Sequence, residues 1–278
     1  MKYYAFIAGL PDLLFEEHKK VYTTEAFKQE LDQLLHSSDK KLIEKLFLKY
    51  DNENILSLFR KGEQEMTFNK LAIYSKEEIV EMVEVVKDED RKWDRKYPAY
   101  LEVFIREYLA EEQENPNIFW EDRIAGLYYD YLGKTSNKFV REWAEMHVNY
   151  RNALTALSCR RNQIAYKHLI VGNNEVAHIL REFSNPNLSD YIENYEFIRE
   201  INEMTDLIGR EQYLDQQFWS WIDEKNTFHY FDIENIIGYL FKLQIIERWQ
   251  NLNKEKGAKL FKELIYNLKK GVQTIEKF

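Results

Sequence analysis

The chain has 278 residues, a formal net charge of −9 at pH 7, and only 9 glycines and 4 prolines. Average usage would give about 20 glycines and about 14 prolines at this length. Because both residues interrupt helices and dominate turns, their scarcity predicts an all-α protein with long helices. The negative charge disfavours nucleic acid and anionic lipid as direct partners, and a hydrophobic content of 45% excludes a wholly disordered chain.

The single cysteine, Cys159, excludes an intramolecular disulfide and is typical of a reducing compartment. The longest uncharged run, residues 3–11, is far shorter than the roughly 20 residues of a membrane-spanning helix. Asp12 follows this run directly and no small-residue cleavage pattern appears, which argues against a signal peptide. We therefore expect a cytoplasmic protein that meets a membrane only through its partners.

The first part of the chain shows apolar patterns of helical period. The opening segment 3–11 is compatible with a short strand or with a first helical turn, because periodicity does not discriminate at this length. From Thr24 onward apolar residues recur on one helical face, and a second apolar stripe follows the polar residues 37–39. Ser75 and Glu78 have the spacing of a capping box, which predicts a helix start there.

The later part of the chain is also helical in pattern. Residues 135–171 contain neither glycine nor proline, and they are compatible with one long helix. The polar stretches 172–174 and 184–187 predict turns. Three or four further helices follow, and the last of them is amphipathic, at residues 260–268.

A faint internal repeat occurs three times. Residues 50–59 match residues 231–240 at aromatic, Asp, Glu, Asn, Ile and aliphatic positions, and residues 148–157 form a weaker copy. Matches this short also arise by chance, so the repeat is weak evidence when taken alone. It is compatible with three helical bundles, which we place at residues 1–86, 87–186 and 187–278.

Each copy of the repeat contains one asparagine at the same position. Asn54, Asn152 and Asn235 are 98 and 83 residues apart, a plausible size for helical subdomains. Asp51 and Asp232 stand three residues before two of these asparagines. Aspartate before an apolar helical segment is typical of an N-cap, so we predict that both aspartates cap helices.

Motifs that would indicate catalysis are incomplete. Glu175 and His178 have the spacing that places two metal ligands on one helical face, as in di-iron carboxylate bundles, but no second Glu-x-x-His motif exists. A metal-dependent oxidase is therefore the least favoured alternative. Gly133-Lys-Thr135 resembles the end of a phosphate-binding loop, but the glycine required five residues earlier is absent. We expect no catalytic residue, no cofactor and no metal, and hence a protein that is not an enzyme.

The clearest basic cluster comprises Arg151, Arg160, Arg161 and Lys167. The cluster is compatible with an acidic partner, a phosphate group or nucleic acid as ligand. It is equally compatible with ion pairs to neighbouring acids on a helix surface, which is the interpretation we favour.

The opening residues 3–13, with a Tyr-Tyr pair, an apolar stretch and Leu-Pro, resemble the start of an uncharacterised bacterial family. The genes of that family accompany those of V/A-type ATPases, at the place of the C-type component of the central stalk, whose eukaryotic counterpart is the d-type component. The resemblance implies the architecture of these C-type proteins, which is three related helical bundles. Each bundle carries an Asp-x-x-Asn helix start with arginine or lysine roughly six to nine positions on.

The C-type pattern has three counterparts in this chain. The matching residues are Asp51, Asn54 and Arg60 in the first copy, Asn152, Arg160 and Arg161 in the second, and Asp232, Asn235 and Lys242 in the third. The second copy departs from the pattern because Asn149 stands where aspartate is expected. The third departs from it because Phe241 stands at the position of Arg60.

The resemblance implies a non-catalytic coupling subunit of a V/A-type rotary ATPase, built from three related bundles in an elongated or funnel-like arrangement. Its implied partners are the rotor proteolipid ring and the other proteins of the central stalk. Its implied location is the cytoplasmic face of the inner membrane. The leading alternative is a general helical protein-binding scaffold unrelated to ATPases.

Overall fold

The structure is a computed structural model that describes residues 3–15, 22–110, 119–183 and 186–251. Every regular element within these ranges is helical, so the predicted all-α class is confirmed. None of these helices combines the length and the apolar character needed to span a bilayer. The amphipathic helix predicted at residues 260–268 lies outside the described ranges.

The described residues form eleven α-helices and two short 3-10 helices. The α-helices are α1 Tyr4–Gly9, α2 Thr24–Leu34, α3 Ser37–Glu65, α4 Lys76–Lys87, α5 Ala99–Ala110, α6 Trp120–Leu132, α7 Lys138–Arg161, α8 Glu175–Glu182, α9 Tyr195–Glu203, α10 Leu207–Lys225 and α11 Ile233–Asn251. The 3-10 helices are Lys167–Leu169 and Leu188–Asp190. The opening segment is therefore a short helix and not a strand.

Several helices begin and end where local side chains dictate. Ser75 caps α4 as predicted: its Oγ accepts a hydrogen bond from the Glu78 amide at 3.2 Å, and the Glu78 carboxylate accepts one from the Ser75 amide at 3.0 Å. Helix α7 ends at Arg161 and does not fill the whole range 135–171. The chain turns there because Gln163 adopts a positive φ of 56°, a conformation that interrupts a right-handed helix.

The chain divides into two compact units. We call residues 37–210 the core unit, and residues 1–36 with 211–278 the terminal unit. The boundary at residue 210 falls within α10. The division into three bundles stays a prediction.

Two long helices organise the core unit. Helix α3 packs against α4 and α6, and α7 packs against α6, α8 and α9. Large side chains at these interfaces are completely removed from solvent, among them Phe47 and Ile55 on α3 and Val140 on α7. Burial of apolar area of this kind is the main stabilising contribution to such a bundle.

In the terminal unit, helices from both ends of the sequence pack together. Helix α2 packs against α11, and its Phe27 is fully buried with its ring 5.1 Å from that of Tyr239. The first free amide of α2, that of Thr24, donates to the Glu247 carboxylate at 2.8 Å. This bond satisfies a helix-start donor with a side chain that lies 223 residues away.

Candidate functional site: the asparagine cradles

A buried asparagine joins α3 to the loop that follows it. Asn54 is fully buried, and its Nδ2 donates to the carbonyl oxygen of Asn69 at 3.2 Å. The backbone amide of Asn69 donates to the Asn54 Oδ1 at 2.7 Å. The carboxamide therefore satisfies both backbone groups of one loop residue, as a neighbouring peptide group would. We call this arrangement an asparagine cradle.

The second copy of the repeat forms the same cradle on α7. Asn152 is fully buried, its Nδ2 donates to the carbonyl oxygen of Val171 at 2.8 Å, and the Val171 amide donates to its Oδ1 at 2.9 Å. The loop residue lies 19 positions after the asparagine in this copy and 15 positions after it in the first. Both loops then lead to a capped helix start, at Ser75 and at Asn174.

In both copies, the residue three positions before the cradle asparagine also binds the segment that follows the helix. Asp51 is fully buried and accepts the backbone amides of Ile73 at 3.0 Å and Tyr74 at 2.9 Å. The prediction that Asp51 caps a helix is wrong, because it lies in the middle of α3 and accepts from a distant loop. At the same position in the second copy, the Asn149 Oδ1 accepts from the Asn174 side chain at 2.7 Å.

Within the described residues, the third copy of the repeat does not form an asparagine cradle. Asp232 directly precedes α11, and its Oδ2 lies 3.0 Å from the His229 Nδ1. That Asp232 caps this helix stays a prediction. The Asn235 Nδ2 donates to the carbonyl oxygen of His229 at 2.9 Å, which is six residues earlier and not later. Helix α11 continues to Asn251, so the described chain has no loop 15 residues after Asn235 that could enter a cradle.

The basic residues of the motif bind separate neighbours. Arg60 forms an ion pair with Glu121, Arg160 donates to the Tyr166 hydroxyl at 2.8 Å, Arg161 donates to the Asn202 carbonyl oxygen, and Lys242 forms an ion pair with Asp223. Arg151 of the basic cluster likewise pairs with Asp122, whereas Lys167 donates to the Glu182 carbonyl oxygen at 3.2 Å. These contacts join helices and loops to one another.

Buried tyrosines bind other groups of α3, the helix that carries the first cradle. The Tyr100 hydroxyl donates to the Asn52 side chain at 2.8 Å, and the Tyr128 hydroxyl donates to the Leu46 carbonyl oxygen at 3.1 Å. Burial raises the pKa of both phenols well above the usual value. Burial and the nearby Asp51 carboxylate also raise the pKa of Tyr74. Because the Asn54 side chain is fully buried, its hydrogen bonds are costly to lose.

Two glycines bring α6 against the second cradle. A Cβ on Gly126 would lie 3.0 Å from both the Gly172 amide nitrogen and the Val171 Cγ1, so no larger residue fits without a shift. Gly172 has a φ of 77°, which glycine adopts without strain. Asp130 holds the next residue, accepting from the Asn173 backbone amide at 3.0 Å. The turn at 172–174 was predicted from its polar residues, whereas the roles of Gly126 and Asp130 were missed because they depend on contacts distant in sequence.

A cleft of about 400 Å³ lies beside the second cradle. Arg181 lines it and donates to the carbonyl oxygens of Ile170 at 2.8 Å and Gly172 at 2.7 Å, and burial lowers the pKa of this guanidinium. Arg123 lines it too and is engaged by both oxygens of Glu107 at 2.6 Å. Both guanidinium groups thus bind protein atoms: Arg181 holds the loop, and Arg123 joins α6 to α5.

The metal motif considered from sequence is exposed. Glu175 and His178 both lie on the solvent-facing side of α8. Among the described residues, one group of His, Cys, Asp and Glu side chains is close enough to share an ion, and it comprises His229, Asp232 and Glu234. Helical spacing gave no sign of this group because its members straddle the start of α11 and share no single helical face.

Comparison with known proteins gives one match. Residues 1–272 match a family described as "Protein of unknown function (DUF2764)". No curated protein and no solved structure matches the chain.

Proposed function

The chain belongs to the DUF2764 family, and from this premise we propose that it is a non-catalytic coupling subunit of a V/A-type rotary ATPase. In this role it would link the central shaft of the catalytic head to the membrane proteolipid ring. The proposal rests on the resemblance to the C-type component of the central stalk and on one structural observation, the repeated asparagine cradle.

The cradles support the proposal because a protein that couples two moving parts must resist deformation. Each cradle fixes a long helix to the loop that leads into the next helix, through Asn54 on α3 and Asn152 on α7. Leaving one buried backbone group without a partner costs about 1–3 kcal/mol. Local opening at either loop would break two such bonds at once, so the repeat favours a stiff element. Stiffness suits the transfer of torque between two partners.

The charge of the chain supports the same role. A net charge of −9 favours association with basic surfaces, and we propose that the cytoplasmic loops of the rotor ring supply them. Attraction between exposed charges is screened over about 8 Å at physiological ionic strength. Association with the membrane sector should therefore weaken as salt is raised.

The experiment is co-purification with the ATPase membrane sector from solubilised native membranes. We expect this chain in the complex in stoichiometric amount at low salt, and a smaller amount after a high-salt wash. A matched sample from a strain lacking the gene should yield the ring without its central shaft. Isolation of a complete complex that lacks this chain, with another chain in its place, would reject the proposal.

A general helical scaffold is the second candidate function. The observation that favours it is the exposed aromatic pair Phe228 and Tyr230, whose relative exposures are 86% and 64%. Large exposed aromatic side chains are common at protein interfaces. The neighbouring genes discriminate between the two candidates, because a scaffold unconnected with ATPases has no reason to be encoded beside ATPase genes.

A further inference from the structure

The carboxylate of the third repeat copy lacks the partners of its counterpart in the first. Asp51 binds two backbone amides, whereas the Oδ1 of Asp232 is inaccessible to solvent and has no hydrogen-bond partner among the residues that the structure describes. A buried acceptor that lacks a hydrogen bond is destabilising, and more so when it carries a charge. Such an oxygen is available as a ligand for a cation.

Two other side chains that could bind a metal ion, His229 and Glu234, lie next to this carboxylate. The His229 Nδ1 lies 3.0 Å from the Asp232 Oδ2 and 3.9 Å from the Glu234 Oε2, and the three donor atoms all lie within 4.8 Å of one another. The three side chains are half-buried, with relative exposures of 39%, 29% and 20%. Ligand atoms around a four-coordinate ion with bonds of about 2.1 Å are about 3.4 Å apart, so small side-chain rotations suffice.

The backbone holds His229 in place. Its amide donates to the Asn226 carbonyl oxygen at 2.9 Å, and its carbonyl oxygen accepts from the Asn235 side chain at 2.9 Å. The repeat asparagine that forms a cradle in the other two copies thus fixes the histidine in this one. These bonds fix the backbone of His229, from which its Nδ1 reaches Asp232 and Glu234.

We propose that His229, Asp232 and Glu234 bind a divalent transition-metal ion, with zinc as the reference case. One imidazole nitrogen and two carboxylate oxygens are ligands that Zn²⁺ accepts, and a water or a partner side chain would complete the coordination. Coordination through Nδ1 would replace the contact with Asp232 and leave the single proton of the neutral imidazole on Nε2. The ion would tie the loop 226–231 to the start of α11. This inference is independent of the proposed ATPase role.

The experiment is calorimetric titration of the purified, metal-stripped full chain with ZnCl₂ at neutral pH. We expect one equivalent to bind. His229→Ala should weaken binding by at least about tenfold. Thermal melting should show the same pattern, with Zn²⁺ raising the melting temperature of the wild type and not that of the variant.

The matched control is His178→Ala, which removes an exposed histidine on α8 and should leave binding unchanged. His229→Gln serves as a second variant if His229→Ala does not fold, since glutamine keeps a donor but is a poor zinc ligand. Equal affinity of the wild type and the folded His229 variant would overturn the proposal. The proposal would also be overturned if about 100 μM zinc gave no stoichiometric binding, because this concentration is well above the dissociation constant of a structural zinc site.

Discussion

At the scale of single residues, Asn152 shows how a polar side chain stabilises a helical protein from within its core. Its two hydrogen bonds replace water at both backbone groups of Val171, which is itself buried. Asn152→Ala would leave an amide and a carbonyl without partners. We expect a loss of about 3 kcal/mol in the free energy of unfolding, measured by urea denaturation.

The third repeat copy supplies the control for this variant. Asn235 is half-buried and makes one bond of this kind, so Asn235→Ala should cost about 1 kcal/mol. Asn54→Ala should behave like Asn152→Ala, because it removes the same pair of bonds. Equal losses at Asn152 and Asn235 would show that the cradle adds no more stability than one hydrogen bond.

Asp215 provides a pH-dependent prediction. It is 4% exposed and accepts from the Trp249 Nε1 at 2.7 Å, and burial raises the pKa of its carboxyl above the usual 3.8 against the opposing charge of Arg248. The native state then holds this proton more tightly than the unfolded state. Its contribution to stability is therefore present below the unfolded pKa and is lost as pH rises through the folded pKa.

The measurement compares the wild type with Asp215→Asn by urea denaturation at a series of pH values. We expect the stability of the wild type, relative to the variant, to fall as pH rises from about 3.8. The fall should be about 1.4 kcal/mol for each tenfold change in the acid dissociation constant. A relative stability that increases with pH would show that the Arg248 ion pair outweighs burial.

The repeat pattern identified the right asparagines at this scale but assigned the wrong role to Asp51. An N-cap is a local feature, and Asp51 precedes apolar residues in the expected way. Its actual partners, the amides of Ile73 and Tyr74, are 22 and 23 residues away. No local pattern carries that information, because the loop returns to α3 only when the tertiary structure forms.

At the scale of elements, the close approach of α6 to the second cradle depends on Gly126. Alanine has the higher intrinsic helix propensity by about 1 kcal/mol, so a gain would be expected from propensity alone. A Cβ there would press on the Gly172 backbone and on Val171, and overpacking typically costs about 1–3 kcal/mol. We expect Gly126→Ala to lower the melting temperature in a thermal unfolding experiment.

Gly133 at the end of the same helix is the matched control. A Cβ there would lie 3.4 Å from its nearest neighbour, the Tyr129 carbonyl oxygen, and its φ of −61° suits any residue. Gly133→Ala should therefore be neutral or slightly stabilising. A melting temperature for Gly126→Ala at or above that of Gly133→Ala would contradict the packing argument.

Element boundaries followed local chemistry where that chemistry was decisive. The Ser75–Glu78 capping box predicted the start of α4, and the structure confirms both of its hydrogen bonds. The extent of α7 was not predictable in this way, because residues 135–171 lack glycine and proline. The helix ends at Arg161, and the following segment returns to place Val171 against Asn152.

At the scale of the whole molecule, composition was sufficient for the fold class and insufficient for the grouping of helices. The scarcity of glycine and proline predicted an all-α protein, which the described residues confirm. The joining of residues 1–36 with residues 211–278 in one unit has no signature in a reading along the chain. The bonds involved, such as that between Thr24 and Glu247, link positions 223 residues apart.

Because the two ends of the chain belong to one unit, that unit can complete its folding only late in synthesis. Residues 37–210 have all the partners of their own unit before the ribosome reaches α11, whereas α2 emerges early and its packing surface appears about 200 residues later. At about 5–20 residues per second, the nascent α2 is without its α11 partner for at least about ten seconds. Contacts so distant in sequence slow folding, and apolar surface that is exposed in the meantime favours aggregation.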